Sequence, residues 1–219
     1  MSIHTYIRRY LLFLTGVILS ATGIAFITRA GLGTSPVSGL PFVLSLVTGI
    51  SMGTYTFLFN MTFLVLEALL RKKFSIQQAL QIPITFFFSF CIDQAMGFIP
   101  TRFGGPWGAS FVYLVIGCVI MALGISFEVI ADVIMLPAEA LVRELSRQTG
   151  IRFGNVKVAF DSTLTILAMV VALIAFHKLN GVREGTLINA LCVGQLVRLW
   201  RSFLEAPLKK VCTAEPVAE

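Results

Sequence analysis

The chain has 219 residues, 57% of them hydrophobic and only 13% charged, and its mean hydropathy is +0.88. A soluble domain carries roughly a quarter charged residues, so a bilayer has to cover this much apolar surface. The formal charge of +6 does not mark a nucleic-acid binder, because the Lys and Arg lie between apolar runs, as topology signals do.

Six segments are long enough to cross a bilayer, which takes about 20 residues: 10–28, 53–70, 76–99, 109–130, 156–176 and 185–204. The first follows Arg8-Arg9 and resembles a secretory leader. Its apolar run is longer than a signal core of roughly 7–15 residues, and a duplicate at 111–129 lies mid-chain, so the segment is expected to remain as a span. The stretch 35–48 follows the first span. At about 1.5 Å per residue its helix reaches only some 20 Å. A second short stretch, 132–149, follows the fourth span.

These short stretches are copies of one pattern. Ala30 matches Ala131, Pro36 matches Pro137, Leu40 matches Leu141, and Thr48-Gly49-Ile50 matches Thr149-Gly150-Ile151, every pair 101 apart. The same offset joins Gly16 to Gly117, Gly23 to Gly124, Gly53 to Gly154 and Asn60 to Asp161. One repeat therefore reads span, short element, span, span. If the short element does not cross, each repeat has three crossings, and the second is inverted relative to the first.

Charge supports that count. With the N-terminus inside and neither short element crossing, Arg8, Arg9, Arg71, Lys72, Lys73, Arg143, Arg147, Arg152, Lys157, Arg198, Arg201, Lys209 and Lys210 are cytoplasmic, and only Arg29, Arg102, Lys178 and Arg183 are outside. This is a strong positive-inside bias. The expected fold is an all-α membrane protein of six transmembrane helices in two inverted three-helix repeats. Each repeat has a short re-entrant or interfacial helix after its first span. The expected organisation is one membrane domain over 1–219, with repeat one at 8–100, repeat two at 108–205 and a cytoplasmic tail at 206–219. The uncharged 35–48 suits re-entry. The stretch 132–149, with Glu139, Arg143 and Arg147 on one stripe, suits the interface.

Gly31-Leu32-Gly33 after the first span, Thr48-Gly49 with Gly53-Thr54 before the second, and Gly185-Thr186 with Asn189-Ala190 and Val193-Gly194 in the last one form a glycine pattern. It resembles the YczE/YitT-like family of bacterial multipass membrane proteins over most of residues 8–205. The Pro-Trp-Asp that many members carry after GLG is replaced by Thr34-Ser35-Pro36. The resemblance implies a multipass fold in the bacterial cytoplasmic (inner) membrane, both termini cytoplasmic, with transport as the usual conjecture.

Ser35 is placed to cap a helix that Pro36 opens, and Gly33 lets backbone approach a ligand closely. A half-helix N-terminus inside a membrane suits an anion. The competing reading is a plain capping turn, with Arg29 snorkelling to the outer surface. Ionisable residues within spans cost roughly 2.5–3.5 kcal/mol each at a helix centre and are functional hypotheses by default. Glu67, Glu128, Asp161 and Arg198 fall in the cytoplasmic half, and Arg29, Asn60 and Asp93 in the outer half. Glu128, Asp132 and Asp161 bind a cation or proton with Arg198 as counter-ion, or else Glu128 and Asp132 end a span at the headgroups while Asp161 pairs with Lys157 at i, i+4. Arg29 and Asp93 are the expected outer pair. Gln77, Gln78, Gln81, Thr85 and Gln94 give the third span a polar side that lines a cavity, and Pro83 should kink it.

Among functions, a small-molecule secondary transporter working by alternating access stands first, its site drawn from Arg29, Gly33, Ser35, Asn60, Asp93, Gln94, Glu128, Asp161 and Arg198. The alternatives are a substrate-binding or accessory subunit of a vitamin-type importer, docking through Ala21-x-x-x-Ala25, or a membrane regulatory protein. Expected partners are the lipid bilayer and an unidentified small molecule. A homodimer is left open, and no nucleic acid is expected. No Ser/His/Asp or Cys/His arrangement and no phosphate-cradling lysine loop are present, so no enzymatic activity, catalytic residue, cofactor or metal site is expected.

Overall fold

In a computed structural model, which describes residues 3–101, 107–177, 181 and 183–213, the chain is helical. The expected outer cations Arg102 and Lys178, the loop at 103–106 and the end of the tail lie outside the described residues. Among the described residues there are eight helices and no strand: α1 Ile3–Arg29, α2 Pro36–Thr48, α3 Met52–Arg71, α4 Ile76–Phe98, α5 Trp107–Ala131, α6 Pro137–Thr149, α7 Phe153–Phe176 and α8 Glu184–Thr213.

The short helices begin and end as their sequences dictate. Ser35 caps α2 by accepting a hydrogen bond from the Ser38 N–H at 3.3 Å, and Pro36 occupies the first turn, where no N–H is required. Pro137 opens α6 in the same way, although Leu136 supplies no side-chain cap. Gly49 and Gly150 close the two helices in the left-handed conformation, with φ 76° and 72°. Each helix has 13 residues, about 20 Å of rise, which is short of the hydrocarbon thickness of about 30 Å. The α2 helix is apolar and uncharged. The α6 helix buries Ala138, Leu141 and Val142 and exposes Arg143 and Arg147.

Among the described residues, five helices are long and apolar enough to cross a membrane: α1, α3, α4, α5 and α7. They mark the chain as an integral membrane protein. Six such spans were expected from the sequence. The α8 helix has the length, at 30 residues, but Arg198, Arg201 and Glu205 within it lower its hydropathy.

The centre is the crossing of α1 and α5. They run antiparallel: Arg9 reaches the carbonyls of Ala131 and Asp132, Ser20 meets Glu128, and Phe26 stacks at a tilt on Tyr113. Glycines let the two backbones touch. A Cβ on Gly16 would come within 2.8 Å of the Gly124 carbonyl oxygen, and one on Gly117 within 2.9 Å of that of Gly23. The α4 helix packs on α1, and α8 packs on α5. The α8 helix runs parallel to α5, since Asn189 lies by Met121 and Val197 by Ser126. The α2 helix packs on α7 and α6 on α3, so each short helix lies against a long helix from the other half of the chain.

Candidate functional site

The stretch GLGTSP folds back on the start of α8. The Leu32 carbonyl accepts the Gly185 N–H at 2.7 Å, the Thr34 N–H reaches the Thr186 hydroxyl at 3.3 Å, and Arg183 donates to the Gly31 carbonyl at 3.2 Å. Gly33, at φ +126°, lies so close to Thr186 that a Cβ there would collide with it. Thr34 and Thr28 hydroxyls share a hydrogen bond of 2.8 Å, both fully buried. Gly33 and Ser35 therefore serve a clasp between chain segments and the cap of α2. Ser35 is itself buried and bonded to Ser38.

Of the two outer ionisable groups, neither meets the other. Arg29 donates to the Met96 carbonyl at the end of α4. Asp93 instead binds the Ser51 hydroxyl at 2.6 Å and the Gly53 N–H at 2.7 Å. The expected Arg29–Asp93 pair is thus corrected. The exposed N–H groups and positive dipole end of α3 attract the carboxylate, and a carbonyl at the end of α4 accepts from the guanidinium. Gln94 is exposed on the outer side of α4 and lines no interior space. Asn60 is buried, its amide donating to the Thr56 carbonyl at 2.8 Å.

The cytoplasmic-half candidates are also separated. Glu128 accepts from Ser20 at 2.6 Å inside the α1–α5 crossing, in space that Gly16 leaves. Asp161 pairs with Lys157 on its own helix at 3.0 Å, the local reading of that acid. Arg198 is exposed on α8 and ion-pairs with no described acid. The α7 helix packs on α2 and α6, and α8 on α5 and α1, which leaves Arg198 no role as counter-ion to Asp161. Ala21 and Ala25 are fully buried within the bundle and offer no surface for docking a partner.

The structure assembles a different constellation, on α3, α4 and α6. Glu67 and Glu144 are each 1% exposed. The Arg71 Nε lies 3.3 Å from Glu67 Oε1 and 3.2 Å from Glu144 Oε2 and so bridges them. Glu144 is also held by Arg147 at 3.3 Å and by the Gln148 amide at 3.1 Å. Burial pushes the Glu144 carboxyl up. The hydrogen bonds from Gln148 and Arg71 and the charges of Arg147 and Arg71 outweigh it and hold the group below the usual carboxylate range. Gln148 also ties α6 to the Leu70 carbonyl at 2.7 Å.

Glu67 is less well served. Its Oε2 has no hydrogen-bond partner. The amides of Gln78 and Gln81 stand beside its carboxylate, yet Gln78 Nε2 and Gln81 Oε1 are themselves unpartnered. Gln78 spends its oxygen on the capping box at Ser75, and Gln81 donates to the Met135 carbonyl at 3.0 Å. Further along α4, the hydroxyls of Thr85 and Ser89 are buried and unpartnered as well. Ser89 borders a cleft of about 260 Å³ between α3 and α4, lined also by Gly53, Thr54, Phe57, Phe86 and Asp93. Buried polar groups in native proteins are nearly always bonded to protein or to ordered water, so a run of bare ones marks space for water or a solute.

A family profile matches residues 7–202 of the chain. The chain belongs to DUF6198, a family of unknown function. The DUF6198 match takes in all the residues of the Glu67–Glu144 cluster. A curated relative, the uncharacterized protein YyaS of Bacillus subtilis (strain 168), is 25% identical over 201 residues, covering 90% of this chain and 94% of the relative. No solved structure matches this DUF6198 chain.

Proposed function

We propose that the protein is a small-molecule secondary transporter, with two inverted repeats, α1–α4 and α5–α8, that exchange access to a polar path lined by α3 and α4. The observation that carries this reading is the row of buried, unpartnered polar atoms from Glu67 through Gln78, Gln81 and Thr85 to Ser89. Lipid offers no hydrogen bonds to complete such groups, and intramembrane polar residues mark substrate or ion pathways.

The helix contacts favour the inverted repeat. Adding or subtracting the offset of 101 turns the Gly16–Gly124 contact into Gly117–Gly23, and both contacts exist. The α2·α7 and α3·α6 pairings, and those of α1·α4 and α5·α8, interchange in the same way. The α8 helix serves as the sixth crossing in this reading, since it runs alongside α5 for much of its length. Both termini then face the cytoplasm of a bacterium, and α6 lies at that face with Arg143 and Arg147 outward. The YczE/YitT-like resemblance fits the same picture, its GLG and GT motifs being the two sides of the α1–α8 clasp.

The test begins with the purified protein in detergent and a thermal-shift panel of vitamins, amino acids, organic acids, sulfonates, nucleobases and polyamines. A ligand at 100 times its dissociation constant stabilises the folded state by about 2.7 kcal/mol. A hit that is lost in T85A and S89A, and that is taken up by proteoliposomes, supports transport along this path. Binding without uptake in sealed vesicles refutes transport.

A further inference from the structure

Gln78, Gln81, Thr85 and Ser89 share one face of α4 and are all at least nine-tenths buried. Steps of three or four residues place successive members about 4.5–6 Å apart along the axis, too far for direct hydrogen bonds and the right spacing for single bridging waters. At one end of the row stands Glu67 with its bare Oε2. At the other, Ser89 borders the cleft that Asp93 also lines. The row runs about 16 Å at 1.5 Å per residue, roughly half the hydrocarbon thickness of about 30 Å.

We propose that this row is a water-filled half-channel through which protons reach Glu67 from the cleft at Ser89, and that Glu67 is the proton-accepting carboxylate of the protein. The idea deepens the transport reading and rests on it for its purpose, since it names the coupling ion. The charged groups facing Glu67 are Arg71 on its own helix and Glu144 on α6, with Arg147 beyond it. From α4 it meets only neutral Gln78 and Gln81, and α2 carries no charge. Glu144 already accepts from three donors. Glu67 shares Arg71 with it and has the Gln78 and Gln81 amides beside it, yet its Oε2 keeps no close partner, and so the free lone pair is on Glu67.

The transfer balances without any co-reactant. A hydronium in the cleft passes a proton along the bridging waters, and the last water gives it to Glu67 Oε2. One O–H bond breaks and one forms. The carboxylate becomes neutral, and Arg71 is left with Glu144 as its ionic partner. A proton suits this place better than a metal ion. A proton neutralises the carboxylate in a covalent O–H bond and needs no ligand shell beside the guanidinium that stands 3.3 Å from Glu67, whereas the described residues hold no group of three His, Cys, Asp or Glu side chains placed to ligate a metal.

Two measurements test the proposal, and neither needs a substrate. In the full chain freed of native thiols (C91S, C118S, C192S, C212S) and reconstituted in liposomes, T85C and S89C should react with a charged, membrane-impermeant thiol reagent added on the side of the α4 C-terminus. I82C and L80C, on the exposed lipid face of α4, should not. In pH-titrated infrared difference spectra, a carboxylic-acid band should appear on acidification in the parent protein. It should vanish in E67Q and persist in D93N and E128Q. Unreactive T85C and S89C in monodisperse protein would overturn the channel. A band unchanged in E67Q, or one governed by sodium rather than by pH, would overturn Glu67 as proton acceptor. Failure of the transport reading would show instead as absent uptake, with these signals intact.

Discussion

The backbone of Gly16 lies against that of Gly124 with no room for a single added carbon: a Cβ on Gly124 would come within 2.6 Å of the Gly16 carbonyl oxygen. Backbone cannot swing aside as a side chain can. Gly124→Val should therefore force α1 and α5 apart and cost about 1–3 kcal/mol, lowering the thermal midpoint in detergent by roughly 2–4 °C per kcal/mol. Gly194→Ala is the control. A Cβ there meets nothing within 4 Å, and its midpoint should stay level or rise slightly.

Glu144 and Glu67 share Arg71 but differ in what they would leave behind. Glu144→Ala strips three donors of their acceptor and leaves Glu67 and Arg71 at an emptied interface. Breaking a buried pair in this way costs about 3–5 kcal/mol. Glu67→Gln keeps the Arg71–Glu144 bridge and should cost clearly less. Chemical unfolding of both variants in one detergent checks the order, and equal losses would count against the bridge as drawn.

Acid should act through Glu144. Its folded-state carboxyl lies below the usual range, because hydrogen bonds and the charges of Arg147 and Arg71 overcome burial. A depressed carboxylate contributes stability that is fully present above its unfolded value of about 4.3 and is lost as pH falls through the folded value. The thermal midpoint of the parent protein should fall as pH drops below about 4.3, and that of Glu144→Gln should fall less. Parallel curves for the two would show that other groups dominate.

Asp93 caps a helix that is not its own. It accepts from Ser51 and from the Gly53 N–H at the start of α3. Losing a cap costs about 0.5–2 kcal/mol. Asp93→Ala should therefore destabilise modestly, and a double-mutant cycle with Ser51→Ala should reveal coupling between the two sites.

Asp161 and Lys157 form an i, i+4 pair with side chains 25% and 26% exposed. Pairs of this kind are worth about 0.3–0.5 kcal/mol. Asp161→Asn should leave the midpoint nearly unchanged.

The elements themselves were readable because each was written locally: Ser35-Pro36 starts α2, Gly49 and Gly150 stop α2 and α6, and Lys157 with Asp161 pair one helical turn apart. What needs two distant segments was not readable. Nothing near Glu67 in the sequence points to Glu144, which lies on a helix of opposite character, so the central cluster was missed although both acids were visible. Arg29 and Asp93 were matched by sign, yet α3 offers backbone N–H groups nearer to the aspartate. The polar content of α4 was a true signal read too broadly. Gln78, Gln81 and Thr85 share the buried face, whereas Gln77 and Gln94 are turned outward. A cue did exist in the offset of 101. Glu67 and Glu144 correspond to Ala168 and Val43, which are buried in an apolar cluster. One half of the chain thus keeps charge where the other keeps none.

The clasp between the loop after α1 and the start of α8 has a bearing on biosynthesis. The Leu32 carbonyl and the Thr34 N–H find their partners at Gly185 and Thr186, the latter 152 residues further along the chain. Until those are made, these two backbone groups of the turn lack the partners they have in the finished fold. The first half cannot mature as a finished unit while the second is being inserted. Closure has to wait for the start of α8, and a nascent protein halted before it should be a target for membrane quality control.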